Sequence, residues 1–355
     1  MSYILPFVEL HAVDHCNHTC MWCHNYSPYS PEREFSSDEY FDSLDLLTKN
    51  GVLFDLLSIM GGEPFLHSNL DKFCFDVAIR YRRPLYITTN GFWLSRENIR
   101  LYKELWPLIY RIKFSRYPSI EKRLGGEKNI QELFNELKQY NPKMTIDWPQ
   151  KYTFNKLLFF DEPKPPELYC GNVACLALLT DGRIGHCGAG AYQHLAPKGS
   201  LSQAFLDSKE MFYDLKKFDL ASFHLWHKRY PLDACFFCNF SQKNRSVTWK
   251  PVKGQGLFRK EYEYVFERNQ CLRLEAAGNS DAVNKRIVSF LTKEPAAAEE
   301  LCKVAVCRAP RDIRSAVGLL EDIVNVVPQN EATLQLLKSF AKRIRPKITD
   351  FRGNK

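Results

Sequence analysis

Apolar and polar positions change period several times along the chain. Short apolar runs, "FVELHAV", "LFDLLSIM", "PLYITT", "LIYRIKFS", "KMTIDW" and "KLLFF", have the texture of strands. Between them, in stretches such as "SSDEYFDSLDLLTKN" and "HSNLDKFCFDVAIRYRR", apolar side chains recur every three or four positions, as on one face of a helix. Ser37 suits the N-cap of the first helix, with acidic residues in its opening turn, and Gly51 after Asn50 suits its end. Repeated strand–helix units of this length predict a parallel sheet with helical crossovers. Six strands are too few to close an eight-stranded barrel, so the pattern predicts an α/β fold built on an open or partial (β/α)6 barrel.

Near Asp161 the texture shifts. "DEPKPPE" reads as a proline-rich connector. From there to about Arg245 come cysteines, glycines and short apolar runs with little helical period. Helical spacing returns between about Phe258 and Ile348, in "AVGLLEDIVNVV" and "ATLQLLKSFAKRI". The basic end, "AKRIRPKITDFRGNK", is expected to fray. The expected organisation is an α/β core over 1–162, a small cysteine-rich module over 163–250 and a helical region over 251–355, without internal repeats.

A chain of 355 residues, 45% of them hydrophobic, has ample material for a large core. It holds no run of eighteen apolar residues, so no membrane span is expected. The opening "MSYILPFVEL" lacks the basic and long apolar regions of a secretory signal, so a cytoplasmic location is expected. There, twelve cysteines at metal-like spacings favour metal ligation over disulfides. The net charge of +8 leans toward an anionic substrate or partner without requiring nucleic acid; solvated surface lysines and arginines also account for it.

Cys16-x3-Cys20-x2-Cys23 follows the first strand. Thiolates are soft ligands, suited to zinc or to an iron–sulfur cluster. A zinc site needs a fourth ligand, a role for which His15, His18 and His24 compete. "MGGEP" closes the second strand, "TTNG" the third and "KFSRYP" the fourth, at the strand ends where α/β sheets place their ligands.

Together these motifs resemble the radical S-adenosylmethionine (SAM) enzymes. The resemblance implies a [4Fe–4S] cluster held by Cys16, Cys20 and Cys23, with its fourth iron open to the amino and carboxylate groups of SAM. Carried over to this sequence, Gly61, Gly62 and Glu63 hold the SAM amino group, and Thr88 and Asn90 supply polar contacts. Ser115 and Arg116 reach the ribose and the methionine carboxylate, unless Arg116 faces the substrate. Trp22 packs near the adenine or into the core. The family also implies a flavodoxin- or ferredoxin-type electron donor.

In the middle region, Cys170, Gly182, Cys187, Cys235 and Cys238 resemble a Twitch/SPASM-type module. That likeness implies an auxiliary [4Fe–4S] cluster on Cys170, Cys187, Cys235 and Cys238, with Cys175 as a packing thiol; a structural zinc on the same residues is the alternative. "TDGR" suits the hairpin turn of such a module, since Asp-Gly favours positive φ. The pairing of the two sets resembles butirosin-type 2-deoxy-scyllo-inosamine dehydrogenase over about residues 1–245, and leaves the helical end without a counterpart. Cys74 reads as a core thiol, and Cys271, Cys302 and Cys307 as structural.

The implied activity is hydrogen abstraction from a carbon of a small polar metabolite, a sugar, aminocyclitol or nucleoside. Dehydrogenation has the edge over epimerisation, because a second cluster can accept an electron. Arg183 and His186 are the candidate catalytic residues, being near a cluster ligand. Maturation of a ribosomally made peptide is the second reading, and a metal-stabilised binding protein without catalysis the third. Intact GGE and TNG motifs oppose the third, since a structural cluster has no need of a SAM pocket.

Overall fold

The computed structural model describes residues 3–166, 170, 176–239, 246–250, 252 and 260–344. Cys175 and the basic end beyond 344 lie outside them. The chain forms two compact units, Met1–Arg259 and Lys260–Lys355.

In the first unit, strand–helix alternation runs as the periodicity predicts: β1 (Tyr3–Val13), α1 (Asp38–Lys49), β2 (Val52–Gly61), α2 (Leu70–Tyr81), β3 (Leu85–Thr89), α3 (Arg96–Leu101), β4 (Ile109–Phe114), α4 (Pro118–Arg123), α5 (Glu127–Tyr140) and β5 (Thr145–Asp147). The five strands are parallel neighbours in that order. Their register explains the pattern in the sequence. Leu10, Ile59, Ile87, Ile112 and Ile146 stand in one cross-sheet row, whereas the next row is Glu9, Ser58, Tyr86, Arg111 and Thr145. Alternation with period two thus gives the sheet one apolar and one polar face. On the helices the apolar stripe is buried: Leu70, Phe73, Cys74, Val77 and Ala78 on α2, and Ile130, Leu133, Phe134 and Leu137 on α5.

Two local expectations are revised. Ser37 precedes α1, but its hydroxyl donates to Asp76 Oδ2 (2.9 Å) and caps nothing. The capping pair is Ser36 and Glu39: Asp38 N–H donates to Ser36 Oγ (3.3 Å), and Ser36 N–H to Glu39 Oε1 (2.8 Å). "KLLFF" is not a sixth barrel strand. Its backbone bonds go to the second cysteine segment instead, Phe160 N–H to Phe237 O (2.9 Å) and Asn239 N–H to Leu158 O (3.1 Å). The short β6 (Thr153–Asn155) before it pairs antiparallel with a later strand.

The cysteine-rich region continues the main sheet. β7 (Leu176–Leu178) lies parallel to β1, and β8 (Arg183–Gly185) and β9 (Phe212–Asp214) follow antiparallel, giving the order β5-β4-β3-β2-β1-β7-β8-β9. The "TDGR" turn joins β7 to β8, with Gly182 at φ +88° and Leu179 N–H donating to Arg183 O (2.8 Å). Around it lie α6 (Gly188–Ala191), α7 (Gln203–Leu206), α8 (Leu220–Lys228) and β10 (Ser246–Thr248), the partner of β6.

The second unit contains α9 (Lys260–Ala276), α10 (Ser280–Leu291), α11 (Ala298–Arg308), α12 (Ile313–Val326) and α13 (Glu331–Ile344). Its core includes Cys271, Ile287, Leu301, Cys302, Leu319, Leu320 and Ile323. Arg308 is buried there, held by both oxygens of Glu275 (2.6 and 2.9 Å). Among the described residues no helix is long and apolar enough to cross a membrane.

Candidate active site

Parallel strands put their C-terminal ends at one edge, and there the first unit holds a cavity of about 420 Å³. Cys16, Cys20 and Cys23, from the loop after β1, line it with Gly61 and Gly62 where β2 ends, Thr88 and Asn90 where β3 ends, and Lys113 and Ser115 where β4 ends. Gln150, Lys151, Thr153, Phe154 and Asn155 close it from the segment after β5.

The GGE segment is bonded through its backbone to the cysteine loop. Gly62 N–H donates to Val13 O (2.8 Å), Glu63 N–H to His15 O (3.1 Å) and the Asn25 side chain to Gly61 O (3.0 Å). A Cβ on Gly62 would sit 1.7 Å from the His15 carbonyl oxygen. One on Gly61 would sit 2.0 Å from Val13 O, at a φ of +128°. The two glycines are therefore dictated by contact between two backbones.

Glu63 is fully buried behind this wall. Thr89 Oγ1 (2.6 Å) and Phe65 N–H (3.3 Å) donate to one carboxylate oxygen and Asn90 N–H (2.7 Å) to the other. Trp93 Nε1–H fixes Thr89 in turn (2.9 Å) from a stack with Phe65 and Trp106. Burial nevertheless pushes the Glu63 carboxyl up to about 7, against those hydrogen bonds. A bound cation reverses that shift, and the carboxylate has lone pairs left to accept an ammonium.

The thiols follow the same logic. Burial first, then the charges of Glu63 and Cys20, push Cys16 well up, and burial followed by Cys23 pushes Cys20 up to about 12. Thiols crowded in this way are held as thiolates by a cationic metal core. Donors to their sulfurs are already in place: His18 N–H (3.3 Å) and Asn90 Nδ2 (3.6 Å) toward Cys16, and Trp249 Nε1–H (3.1 Å) toward Cys20. Three crowded thiols, sulfur-directed N–H groups and an adjoining cavity fit a cluster that leaves one side open to a ligand.

Four expected site residues lie elsewhere. Trp22 packs on the apolar cluster beside the second cysteine set, with Lys156 Nζ 5.7 Å from its ring centre, and does not line the cavity. The Arg116 side chain turns to Glu121 and Glu127 (3.5 Å each) and to the Trp148 ring, because two carboxylates and an aromatic face compensate its buried charge. Arg183 pairs with Asp181 (2.7 Å) within its own turn and lies over Phe212. His186 is buried, its Nε2 bonded to Trp226 O (2.9 Å). Neither Arg183 nor His186 lines the cavity.

Cys170, Cys187 and Cys238 border one apolar cluster containing Tyr26, Leu157, Ala189 and Tyr192; Cys235 and Cys238 border the next. Burial pushes the Cys187 thiol up, and the charges of Cys238, Cys235 and Cys170 push it further. Tyr26 joins the two cysteine sets: its backbone N–H donates to Cys23 O (3.2 Å), and its hydroxyl to Ala189 O (3.0 Å), two residues after Cys187.

The sequence reading missed Trp249 and Lys151. Trp249 meets Cys20 across more than two hundred residues, and no local pattern marks such a contact. Lys151 stands two residues after Pro149, in an irregular segment beyond a three-residue strand, where nothing in the periodicity distinguishes it.

Residues 12–141 match the radical SAM superfamily. A protein from Halobacterium salinarum named probable GTP 3′,8-cyclase is 35% identical over 98 residues, which cover 24% of this chain and 25% of that protein. The match thus spans about a quarter of the curated relative's length. Among solved structures, BtrN in complex with AdoMet and 2-DOIA has a TM-score of 0.43 at 19% identity, over 67% of this chain and 94% of its own. Streptococcus suis SuiB bound to S-adenosylmethionine has a TM-score of 0.31 at 13% identity, over 65% of this chain and 67% of its own. Within the segment that matches the radical SAM superfamily, a family whose cofactors are S-adenosylmethionine and a [4Fe–4S] cluster, the thiol triplet and the backbone-locked glycines line one cavity and the buried glutamate stands behind its wall.

Proposed function

We propose that this enzyme dehydrogenates a carbinol carbon of a small polar metabolite. Cys16, Cys20 and Cys23 would hold a cluster that supplies the electron for reductive cleavage of SAM, the chemistry that would remove a hydrogen atom from the substrate carbon. The protein's part is to hold and orient. Glu63, braced by Thr89 and Asn90, accepts the SAM ammonium. Gly61 and Gly62 line the cavity while letting the cysteine loop pack against their backbone, and Thr88, Asn90 and Ser115 offer polar contacts along it. Cys170, Cys187, Cys235 and Cys238 would hold a second cluster, an acceptor for the electron that dehydrogenation releases. The observation that carries this reading is the convergence of the three thiols, both glycines and Asn90 on one cavity at the C-terminal edge of the sheet.

The test is anaerobic reconstitution. Reduced protein should form 5′-deoxyadenosine from SAM and hold about eight irons, as two [4Fe–4S] clusters require. Alanine at Cys16, Cys20 and Cys23 together should abolish SAM cleavage and leave the iron of the second set. Alanine at Cys187 should lower the iron content. In deuterium oxide, the product should be lighter than substrate by two hydrogens and carry no deuterium on carbon. A product of unchanged composition carrying one non-exchangeable deuterium would replace dehydrogenation with epimerisation, and reductive SAM cleavage by the triple variant would refute the assignment.

A further inference from the structure

The cavity wall is rich in hydroxyls and amides, and its charge is one-sided. Lys113, at the end of β4, and Lys151, on the segment after β5, both line it, and among the described residues no aspartate or glutamate does. Neither lysine forms an ion pair with a described residue. Both are half-buried, and Lys151 is fixed by its backbone, its N–H donating to Arg116 O (2.9 Å). Burial and then the charge of Lys113 push the Lys151 ammonium down, so the two ammonium groups feel each other across the same space. Lys113 acts on Glu9, whose carboxyl burial holds up at about 7 and which bonds to the Tyr192 hydroxyl (3.3 Å).

Two ammonium groups without an ion-pair partner among the described residues thus share a partly desolvated chamber, where an unpaired ion is costly.

We propose that Lys113 and Lys151 form a binding site for an anionic oxygen group, a phosphate ester or a carboxylate, carried by the substrate. This rests on reading the cavity as the chamber shared by SAM and substrate, and it narrows the substrate class from polar metabolites to acidic ones. The other source of the same chemistry is the SAM carboxylate, which would need only one of the two cations.

The experiment uses the full-length, reconstituted protein in equilibrium dialysis against three probes: ribose 5-phosphate, gluconate and uncharged ribose. With SAM saturating, at least one of the two anionic probes should bind saturably and at least tenfold more tightly than ribose. Omitting SAM should change that dissociation constant less than threefold. Lys113→Gln and Lys151→Gln should each weaken the anionic probe at least tenfold, and Lys151→Arg should restore most of the loss. Lys128→Gln, on the exposed side of α5, should change nothing. Raising the salt concentration should weaken the wild-type protein more than either glutamine variant. The proposal is overturned if ribose binds as tightly as the anions, if no probe binds, if SAM displaces the anionic probe, or if the glutamine variants bind it like wild type. The radical SAM reading fails separately, by absence of 5′-deoxyadenosine from SAM in the same preparation.

Discussion

Replacing Gly62 by alanine should dislodge the cluster loop while sparing the fold. The added Cβ would lie 1.7 Å from the His15 carbonyl oxygen, 2.2 Å from its carbon and 2.9 Å from the Asp14 oxygen. Contacts under 3.0 Å are not tolerated, so the two backbones must part by about 1.3 Å. No flexible side chain can absorb this, since every contacted atom is main chain. The movement strains the Gly62-to-Val13 and Glu63-to-His15 hydrogen bonds, worth about 1 kcal/mol each, on top of the ~1–3 kcal/mol typical of overpacking. His15 directly precedes Cys16, so the displacement falls on the thiol triplet. A misplacement of about 1 Å is enough to cost roughly a hundredfold in a positioned reaction. We expect Gly62→Ala to bind SAM at least tenfold more weakly and to form 5′-deoxyadenosine about a hundredfold more slowly. Iron at the second cysteine set should remain. Gly318→Ala is the control: it sits in the middle of α12 with nothing within 4 Å of the new methyl, and should be neutral or stabilise by about 0.5–1 kcal/mol. Normal SAM affinity and a full first cluster in Gly62→Ala would refute the claim that this backbone contact sets the loop.

Glu9→Gln should flatten the pH dependence of stability. The folded Glu9 carboxyl keeps its proton up to about 7, against 4.5 for the free side chain, so wild-type protein loses stability as pH rises between those values, by up to about 3 kcal/mol. Urea titrations should show the variant gaining on wild type over that window, and parallel profiles would refute it. Trp249→Phe removes the N–H donated to Cys20 Sγ at 3.1 Å, and should lower the midpoint potential of the first cluster by a few tens of millivolts. A redox titration followed by EPR reads this, and an unchanged or higher potential counts against it. Arg308→Ala leaves Glu275 without its cation and should destabilise the helical unit by about 3–5 kcal/mol in urea unfolding. A loss below about 1 kcal/mol would mean that the pair is not holding α9 to α11.

What could be read from the sequence was what short segments encode. The strand ends carrying Cys16, Gly62, Asn90 and Ser115 were legible because parallel topology brings consecutive strand termini to one edge. The helix boundaries followed from periodicity and Gly51. "KLLFF" was misread because an apolar run of five satisfies the strand pattern whichever partner its backbone finds, and its partner was the 236–239 segment. Arg116 and Trp22 sit in the expected motifs, but a side chain's direction depends on neighbours that no motif specifies: Glu121 and Glu127 for one, the apolar cluster around Leu157 for the other. Arg183 and His186 stand near Cys187 in sequence, yet the Asp181 carboxylate holds one within its own turn and the Trp226 carbonyl holds the other, so nearness along the chain says little about a shared chamber.

The two cysteine sets are not independent attachments to the sheet. β7 leads toward the second set and pairs in parallel with β1, which leads into the first, through Val8–Leu176 and Glu9–Ala177. Further along β1, His11 stacks on Tyr192 at 3.6 Å, and the Tyr192 hydroxyl bonds to Glu9. Tyr192 follows α6, whose N-cap is Cys187, with Gly190 N–H donating to the Cys187 sulfur (3.4 Å). The same α6 receives the Tyr26 hydroxyl from the loop of the first set. A Cβ on Gly190 would fall 2.1 Å from Met211 Sδ, so any side chain there would require the Met211 side chain to move. The second set is therefore anchored to β1 twice, through the β7 backbone and through the buried Tyr192, and Tyr26 ties it to the loop of the first set. A rigid strand shared in this way fixes the separation of the two sets more tightly than a flexible linker between modules could. It also accounts for the polar residues on β1: Glu9 and His11 are buried because the cysteine-rich region packs on the polar face of the sheet, and Tyr192 meets both of them there.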